Sequence, residues 1–371
     1  MDFRSHVLTE KATTLPREYY VSPEIFAAEK EKIFSAHWIA LGRSDRIREP
    51  GDYLAADVAG ESLVVVRGQD GAVRAFFNVC RHRGTRLCEN ESGRVAKAFV
   101  CPYHSWSYGL DGALVAAPNM SDVSWFDRAD YPLFSVAAAE WEGFLFVNLG
   151  RRPAPLGEAL GPLAKRFGPW RLARLATVTR IEYEVAANWK LVFQNFSECL
   201  HCPPVHPKLA RLSDYKSGAN DLRDGPVLGG YMLLTGSDGS LTTSGRMCGL
   251  PLGDLSDEER RRVYYYSIFP SFFLTVQPDF VMSTRLSPIA VDKSRIVCEW
   301  HFTPETLSQP GLDPSEGVAL WDETNRQDWH ICELSQQGVS SRAYVPGLYS
   351  KQESLLAAFD REYLATMETK D

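Results

Sequence analysis

The chain has 371 residues, of which 44% are hydrophobic and 23% are charged. Because this length exceeds what one hydrophobic core usually supports, we expect two domains. Lys and Arg total 40 against 47 Asp and Glu, a formal net charge of −7, and no basic run stands out, which argues against a nucleic-acid-binding protein. No stretch approaches the roughly 20 apolar residues of a membrane span, so we do not expect this chain to cross a membrane.

The cysteine content predicts a reducing compartment. Eight cysteines are too few for a disulfide scaffold, and the first residues contain no apolar segment typical of a secretion signal. We therefore expect a cytoplasmic protein.

The first 150 residues predict an N-terminal arm followed by a small β domain. Ser22-Pro23-Glu24 is typical of a helix start, so residues 1–37 are read as an arm and a short helix. From residue 38 the pattern changes to short apolar segments separated by Gly and Asp. Residues 63–79 predict two strands joined by a turn, and residues 106–118 predict another hairpin. An antiparallel β domain is therefore expected over residues 38–150.

The second half, residues 151–371, mixes strands and helices after a loop-like Arg-Arg-Pro-Ala-Pro segment. A Gly-, Ser- and Asp-rich region lies at residues 217–257, and no element is assigned to it. Predicted strands cover 177–187, 263–270, 272–277, 280–289 and 295–304, and predicted helices cover 188–201, with Asn188 as N-cap, and 313–338. This predicts an α+β domain, an antiparallel sheet with helices packed on it.

Two short motifs in the β domain combine thiols with imidazoles. Cys80-x-His82 is followed after 18 residues by Cys101-x-x-His104. Such a set can bind zinc, or it can hold a two-iron cluster with both cysteines on one iron and both histidines on the other. Zinc fingers normally pair Cys with Cys and His with His, whereas here each loop supplies one of each. The spacing favours the cluster, with zinc or four unrelated residues as the alternatives.

The strings CRHRG and CPYHSWSYGLDG resemble the Rieske iron–sulfur motif. The resemblance implies a [2Fe–2S] cluster held by Cys80, His82, Cys101 and His104. Because neutral imidazoles replace two thiolates, the potential of the cluster is raised and it can relay electrons. Cys88, between the two motifs, is read as a buried apolar residue.

A second constellation follows the predicted strand 177–187. Glu198 and His201 lie three residues apart on the predicted helix, and Pro203-Pro204 is expected to end that helix, so that His206 comes from the next turn. With a carboxylate from elsewhere, the two imidazoles would form a facial triad for ferrous iron. Two alternatives remain open: polar groups on a packed surface, or a zinc or redox site that uses Cys199-x-x-Cys202.

NWK followed by NFSECLHCPPVHP resembles the mononuclear-iron signature of Rieske non-haem iron oxygenase α subunits, and the resemblance covers about residues 20–350. It implies that His201 and His206 are iron ligands. It also implies that Glu198 bridges His201 to His104 of a neighbouring subunit, and it makes Asn195 a further catalytic candidate.

For the third iron ligand the resemblance implies an Asp on a helix ahead of a Gln-x-Gly. Asp328 aligns best with the Gln-x-Gly at 336–338, and Asp322 is the runner-up. On a helix, Asp328 would project inward beside apolar neighbours, where a metal would provide its partner. The alternative is a solvated helix carboxylate.

The resemblance further implies an antiparallel β Rieske domain and a helix-grip-type catalytic domain. It implies one cluster and one Fe(II) per subunit, O2 as cosubstrate and a homotrimer. Because the sequence has no GxGxxG fingerprint, the electrons must come from a separate flavin- or ferredoxin-type NAD(P)H reductase. Two departures stand out: Gln194 where the family often has Glu, and Glu198 where many members have Asp.

The substrate is predicted from aromatic residues and from the resemblance together. Tyr264, Tyr266 and Phe269 belong to an aromatic segment that can cage a quaternary ammonium group, although such residues are more often sheet core. The ECLHC string is similar to family members that oxidise choline, carnitine and betaines, so N-dealkylating monooxygenation is expected more than dioxygenation. The alternatives are hydroxylation or demethylation of an aromatic acid, an electron carrier without catalysis, or a zinc protein.

Overall fold

The computed structural model describes residue 8, residues 10–236 and residues 239–369. The chain divides into two compact units, one of residues 34–156 and one that combines the residues up to 33 with those from 157 onward. Within the described residues, no helix has the length and apolarity needed to cross a membrane.

The unit of residues 34–156 consists of antiparallel strands. Seven form one sheet in the order β1-β10-β9-β4-β3-β2-β5, and three form a small sheet in the order β6-β7-β8. The strands are β1 (Ile39–Arg43), β2 (Asp52–Val58), β3 (Glu61–Arg67), β4 (Val73–Phe77), β5 (Ser92–Arg94), β6 (Ala98–Val100), β7 (Ser107–Gly109), β8 (Leu114–Ala116), β9 (Ser135–Trp141) and β10 (Phe144–Asn148). Both predicted hairpins, β3–β4 and β7–β8, are confirmed.

The second unit contains a seven-stranded antiparallel sheet in the order β11-β17-β16-β15-β14-β13-β12. Its strands are β11 (Ala176–Val185), β12 (Ser213–Leu222), β13 (Val227–Leu234), β14 (Arg262–Ile268), β15 (Phe272–Val276), β16 (Val281–Ala290) and β17 (Lys293–Phe302). The five predicted strands are confirmed. The α+β class is confirmed as well, since helices accompany this sheet.

Strand β13 and most of β12 lie in the Gly-rich region, to which the sequence pattern assigned no strand. Glycines are what allow these two strands to approach each other. A Cβ on Gly230 would lie 1.9 Å from the Ala219 carbonyl oxygen, and one on Gly218 would lie 2.0 Å from that of Tyr231. Here glycine permits close backbone contact and irregular register, and does not mark a loop.

The helices are short except for two near the C-terminus. They are α1 (Glu18–Val21), α2 (Pro23–Glu29), α3 (Leu156–Ala159), α4 (Gly161–Phe167), α5 (Trp189–Phe196), α6 (Cys202–Val205), α7 (Leu209–Leu212), α8 (Ser315–Val339) and α9 (Ser354–Glu368). A π-helical segment covers Lys30–Phe34, and 3-10 turns cover Ser44–Ile47, Arg128–Asp130, Gly168–Trp170, Leu172–Arg174, Glu259–Arg261 and Pro304–Ser308. Helix α2, capped by Ser22, and helix α8 confirm two predictions, whereas α9 was not predicted.

Helix α5 is shorter than predicted. Asn188 caps its start as expected, accepting a hydrogen bond from the Lys190 N–H, but the helix ends at Phe196 and not at His201. Side chains compete for the backbone at this point: the Ser197 hydroxyl donates to the Phe193 carbonyl, and the Glu198 carboxylate accepts from the Leu200 N–H. Glu198 and His201 therefore lie in a turn and not on a helix face. Pro203-Pro204 lies inside α6 and does not end the preceding helix.

A buried ion pair anchors α5 to the N-terminal helix α2. Lys190 Nζ lies 2.5 Å from Glu29 Oε1, and both side chains are fully buried. The remaining positions on the Glu29 carboxylate are filled by the Trp189 indole N–H at 2.8 Å and the Tyr363 hydroxyl at 2.6 Å. A buried pair is tolerated only when its other hydrogen-bonding positions are satisfied in this way.

A second buried carboxylate lies at the other end of α5. Asp360 of α9 accepts hydrogen bonds from Gln194 Nε2 at 2.8 Å and from the Tyr349 hydroxyl at 2.7 Å. Burial outweighs these hydrogen bonds and raises the pKa of Asp360 to about 7. The folded protein therefore holds a proton on Asp360 that the unfolded chain, with a pKa of about 3.9, has released.

The Asp360→Asn variant tests this buried carboxyl group. Between about pH 4 and pH 7 the native state binds more protons at Asp360 than the unfolded state, so this group lowers stability by up to about 1.4 kcal/mol per pH unit as pH rises. The variant lacks this contribution. In urea unfolding between pH 5 and pH 7.5, we expect its stability relative to wild type to increase with pH. A difference that stays constant with pH would contradict the assignment.

Candidate metal centres and cavity

The two Cys/His motifs fold into matching loops. In residues 80–85 and in residues 101–106, the N–H of the cysteine bonds the carbonyl five residues later, and its carbonyl accepts from the N–H four residues later. The fifth residue of each loop has a positive φ, 76° at Gly84 and 58° at Ser105. Equal backbone geometry presents one thiol and one imidazole from each loop.

The two cysteines and two histidines of these loops differ in how deeply they are buried. Cys80 and Cys101 are each 2% exposed and belong to the core of this unit, whereas His82 is exposed and His104 is half-buried. The two imidazole rings lie 4.7 Å apart between centroids. An inner pair of thiols and an outer pair of imidazoles is the donor set that a Rieske cluster needs.

Neighbouring side chains hold this donor set in place. The Trp106 ring stacks on His82 at 4.8 Å, and the Tyr108 hydroxyl lies 3.3 Å from Cys80 Sγ. Cys88 is buried, as predicted, and burial raises the pKa of its thiol to about 11. A thiol with such a pKa stays protonated at neutral pH in the absence of a metal.

In the second unit, His201, His206 and Asp328 converge, with one ligand atom of each within 4.8 Å of the others. Asp328 Oδ1 lies 2.8 Å from His206 Nε2 and 3.2 Å from His201 Nε2. His201 follows the turn after α5, His206 directly follows α6, and Asp328 comes from the middle of α8. The two imidazole planes are 81° apart, so their lone pairs approach one point from different directions.

Hydrogen bonds on the far side of each ring set its orientation. Glu198 Oε1 lies 2.5 Å from His201 Nδ1, and Gln327 Oε1 lies 2.7 Å from His206 Nδ1. Each Nε2 therefore faces Asp328. Glu198 was predicted from the sequence, whereas Gln327 was not, although Gln327 directly precedes Asp328.

The electrostatics of this triad favour a positive charge between its members. Burial opposes protonation of His201, but hydrogen bonds with Asp328 and Glu198 outweigh it and raise the pKa to about 10. Burial also opposes ionisation of Asp328, yet hydrogen bonds from His201 and His206 hold the pKa of Asp328 below its ordinary value. Two imidazoles and a carboxylate with open positions fit a 2-His-1-carboxylate ferrous site.

The carboxylate of Asp322, the second candidate for the third iron ligand, is engaged by other side chains. Its Oδ1 accepts a 2.7 Å hydrogen bond from the Tyr183 hydroxyl, and its Oδ2 pairs with Arg326 at 3.1 Å. The structure therefore brings Asp328, and not Asp322, to the histidine pair.

The predicted reducing compartment implies that the six cysteines other than Cys80 and Cys101 are free thiols, and this is wrong for Cys199 and Cys202. These two residues form a disulfide across the turn that contains His201. Their sulfurs consequently offer no thiolate for the zinc site considered as an alternative. The other four cysteines outside the Rieske loops are buried thiols.

A cavity opens beside the triad, and about 910 Å3 of space lies within it and its open mouth. Asn195, at the end of α5, lines it together with Glu198. Its aromatic wall includes Phe196, Tyr265 and Trp321, in which the Tyr265 ring centroid lies 6.3 Å from that of Phe196 and 6.4 Å from that of Trp321.

The aromatic residues predicted to form the substrate pocket lie elsewhere. Along β14 alternate side chains face opposite sides of the sheet, so Tyr265 lines the cavity while Tyr264 and Tyr266 pack around Phe167. Phe269 packs in the core beneath α5, 6.1 Å from Phe359. The segment was identified correctly as aromatic, but Tyr264, Tyr266 and Phe269 do not line this cavity.

Two protein-family matches show which family of proteins the chain belongs to. Residues 37–127 match the Rieske [2Fe-2S] domain, and residues 172–369 match the catalytic domain of the ring-hydroxylating alpha subunit. The chain therefore belongs to the Rieske-type ring-hydroxylating oxygenases as a catalytic alpha subunit. It is an O2-dependent oxidoreductase with a [2Fe–2S] cluster and a mononuclear iron.

Similar proteins of known name include oxygenase subunits that act on quaternary ammonium compounds. The chain is 37% identical over 338 residues to the carnitine monooxygenase oxygenase subunit of Acinetobacter baumannii, covering 90% of this chain and 87% of the relative. It is 30% identical over 376 residues to the glycine betaine monooxygenase oxygenase subunit of Chromohalobacter salexigens, covering 91% and 82%. The quaternary ammonium Rieske monooxygenase CntA in complex with L-carnitine superposes with a TM-score of 0.80 at 25% identity, over 97% of this chain and 96% of CntA.

Asp328→Ala tests the triad against a matched change in the same helix. Removing a direct ligand is expected to cost more than the roughly 10- to 100-fold typical of an outer partner, so mononuclear iron and turnover should be lost while the cluster spectrum stays. Asp322→Ala should retain both. Iron analysis and visible spectra measure this; normal iron content in Asp328→Ala, or loss of iron only in Asp322→Ala, would exclude Asp328 as ligand.

Proposed function

We propose that this chain is the terminal oxygenase component that oxidises a carbon next to the nitrogen of a small quaternary ammonium or betaine-like substrate. The observation that carries the proposal is the aromatic wall of Phe196, Tyr265 and Trp321 in the same cavity as the metal triad. Rings at this spacing attract a trimethylammonium group by cation–π interaction. The likeness to carnitine and glycine betaine monooxygenase subunits supports the same substrate class.

The charge of the cavity is compatible with a cationic substrate group. The charges of Glu198 and Asp328 balance that of a ferrous ion, and among the described residues of the wall none is Lys or Arg. The neutral polar side chains of the wall are left to bind the other end of the substrate; they include Asn195, Asn220 and Gln352.

Each residue of the site has a distinct task in this proposal. His201, His206 and Asp328 hold the ferrous iron, which when bound supplies the reduction of O2 and the hydroxylation of a C–H bond. Glu198 fixes the His201 ring through its Nδ1. The half-buried Asn195 lies on the cavity wall and is placed to orient the substrate.

The overall reaction balances as a monooxygenation. One O2, two electrons and two protons convert an N-alkyl C–H to C–OH and release one water. The resulting carbinolamine breaks its C–N bond to give an aldehyde and an amine with one substituent fewer.

The electrons come from a separate reductase, in agreement with the relatives' designation as oxygenase subunits. We propose a flavin- or ferredoxin-type NAD(P)H reductase, and a head-to-tail homotrimer in which Glu198 links His201 to His104 of the neighbouring subunit. A head-to-tail interface must close into a ring to avoid a filament. Inter-subunit electron transfer is described for a quaternary ammonium Rieske monooxygenase that superposes with a TM-score of 0.82.

A substrate screen with a generic reductase tests the function. Choline, glycine betaine, carnitine and γ-butyrobetaine are compared with 3,3-dimethyl-1-butanol, the neutral isostere of choline, and with methoxylated aromatic acids. We expect at least one quaternary compound to yield aldehyde and amine in equal amounts, coupled to O2 consumption. Turnover of the aromatic acids alone would contradict the proposal and support the demethylase alternative.

Tyr265 provides the control for cation recognition. Tyr265→Leu removes one ring of the wall, and the cation–π energy of about 0.5–2 kcal/mol predicts roughly 2- to 30-fold weaker binding of the ammonium substrate. Tyr265→Phe keeps the ring and should bind nearly as well as wild type. An equal loss for the neutral isostere would show that the ring contributes only apolar contact.

Glu198→Gln tests the proposed bridge. Gln keeps an acceptor for the His201 Nδ1–H, so both metals should remain, but losing the charged hydrogen bond should slow transfer from the cluster by about tenfold or more. Single-turnover kinetics of the pre-reduced enzyme measure this step, with Glu323→Gln, a surface partner of Lys208, as control. Unchanged kinetics in Glu198→Gln would count against a bridge.

A further inference from the structure

The two histidines of the triad have chemically different partners. The His201 ring is held by the carboxylate of Glu198 at 2.5 Å, whereas the His206 ring is held by the amide oxygen of Gln327 at 2.7 Å. His206 is the more buried of the two, at 2% exposure. Gln327 belongs to α8 and directly precedes Asp328. One helix therefore supplies both the partner of His206 Nδ1 and the carboxylate that faces His206 Nε2.

An amide oxygen can only accept a hydrogen bond, so it selects one tautomer of His206. Nδ1 therefore carries a proton, and Nε2, 2.8 Å from Asp328 Oδ1, is the nitrogen left to bind a metal. Without this acceptor, the buried ring would have an unsatisfied N–H, and the opposite tautomer would place its proton where a metal has to bind.

We propose that Gln327 is a positioning residue that fixes the tautomer and ring plane of His206 for Fe(II). The proposal rests on the assignment of His201, His206 and Asp328 as the iron ligands. Removal of an outer partner of this kind typically lowers metal affinity by about 10- to 100-fold.

The neutral amide also fits the charge balance of the site. Asp328 and Glu198 together carry two negative charges, which a ferrous ion neutralises. The amide of Gln327 adds no further charge to this balance. The carboxylate on His201 and the amide on His206 thus make the two imidazoles unequal donors, with His201 the stronger.

Gln327→Met removes the acceptor while nearly conserving the length of the side chain. We expect the Fe(II) affinity of the iron-depleted, cluster-containing protein to fall about 10- to 100-fold. The EPR signal of the nitrosyl adduct of the mononuclear iron should also change, which reports ligand orientation independently of turnover. Gln327→Glu retains an acceptor and should recover most of the affinity. Gln337→Met, an exposed position on the same helix, is the matched control and should behave as wild type.

Three outcomes would overturn the inference: wild-type affinity with an unchanged nitrosyl signal in Gln327→Met, a Gln327→Glu variant as weak as Gln327→Met, or an equal loss in Gln337→Met. If Gln327→Met does not fold, Gln327→Asn, which keeps the amide but shortens its reach, should lower affinity in the same way, and wild-type affinity there also overturns the inference. His206→Ala separates this result from the proposed function. If His206→Ala retains mononuclear iron, the ligand assignment itself is excluded. If His206→Ala loses the iron while Gln327→Met binds it normally, only the role of Gln327 is excluded.

Discussion

The carboxylate of Asp328 is the group on which the catalytic unit converges. Its Oδ1 lies within 3.2 Å of the Nε2 atoms of both His201 and His206, although His206 and Asp328 are 122 residues apart in sequence. A carboxylate buried among apolar side chains is unfavourable unless a cation or hydrogen-bond donors surround it. The surrounding structure meets that requirement by aiming two imidazoles at one oxygen, and the same arrangement creates a metal site.

The chain anchors this arrangement from outside the cavity. Helix α5, which leads into the turn of His201, is attached at its start to Glu29 of the N-terminal helix and at its end to Asp360 of α9. These contacts use an ion pair and buried hydrogen-bonding groups, whose strict partner requirements fix a helix more specifically than apolar packing alone. A short helix of eight residues is thereby held firmly enough to position Asn195 and Phe196 at the cavity.

Residues whose partners are close in sequence could be predicted from the sequence. The Cys80–His82 and Cys101–His104 loops and the His201/His206 pair are local motifs, and the Asp328 assignment followed from helix spacing and family resemblance. The end of α5 could not be predicted, because Ser197 and Glu198 bond the backbone there. Strands β12 and β13 were missed because their glycines serve close strand contact. The cavity wall was misassigned because strand alternation, which selects Tyr265 over its neighbours, depends on a register that the sequence does not reveal.

Crystallography of the iron-loaded protein with data at the iron absorption edge tests the central claim most directly. The account predicts a single anomalous peak bonded to His201 Nε2, His206 Nε2 and Asp328, and a two-iron peak between the Cys80/Cys101 thiols and the His82/His104 imidazoles. A mononuclear peak bonded to the sulfurs of Cys199 and Cys202, or no iron between His206 and Asp328, would contradict it.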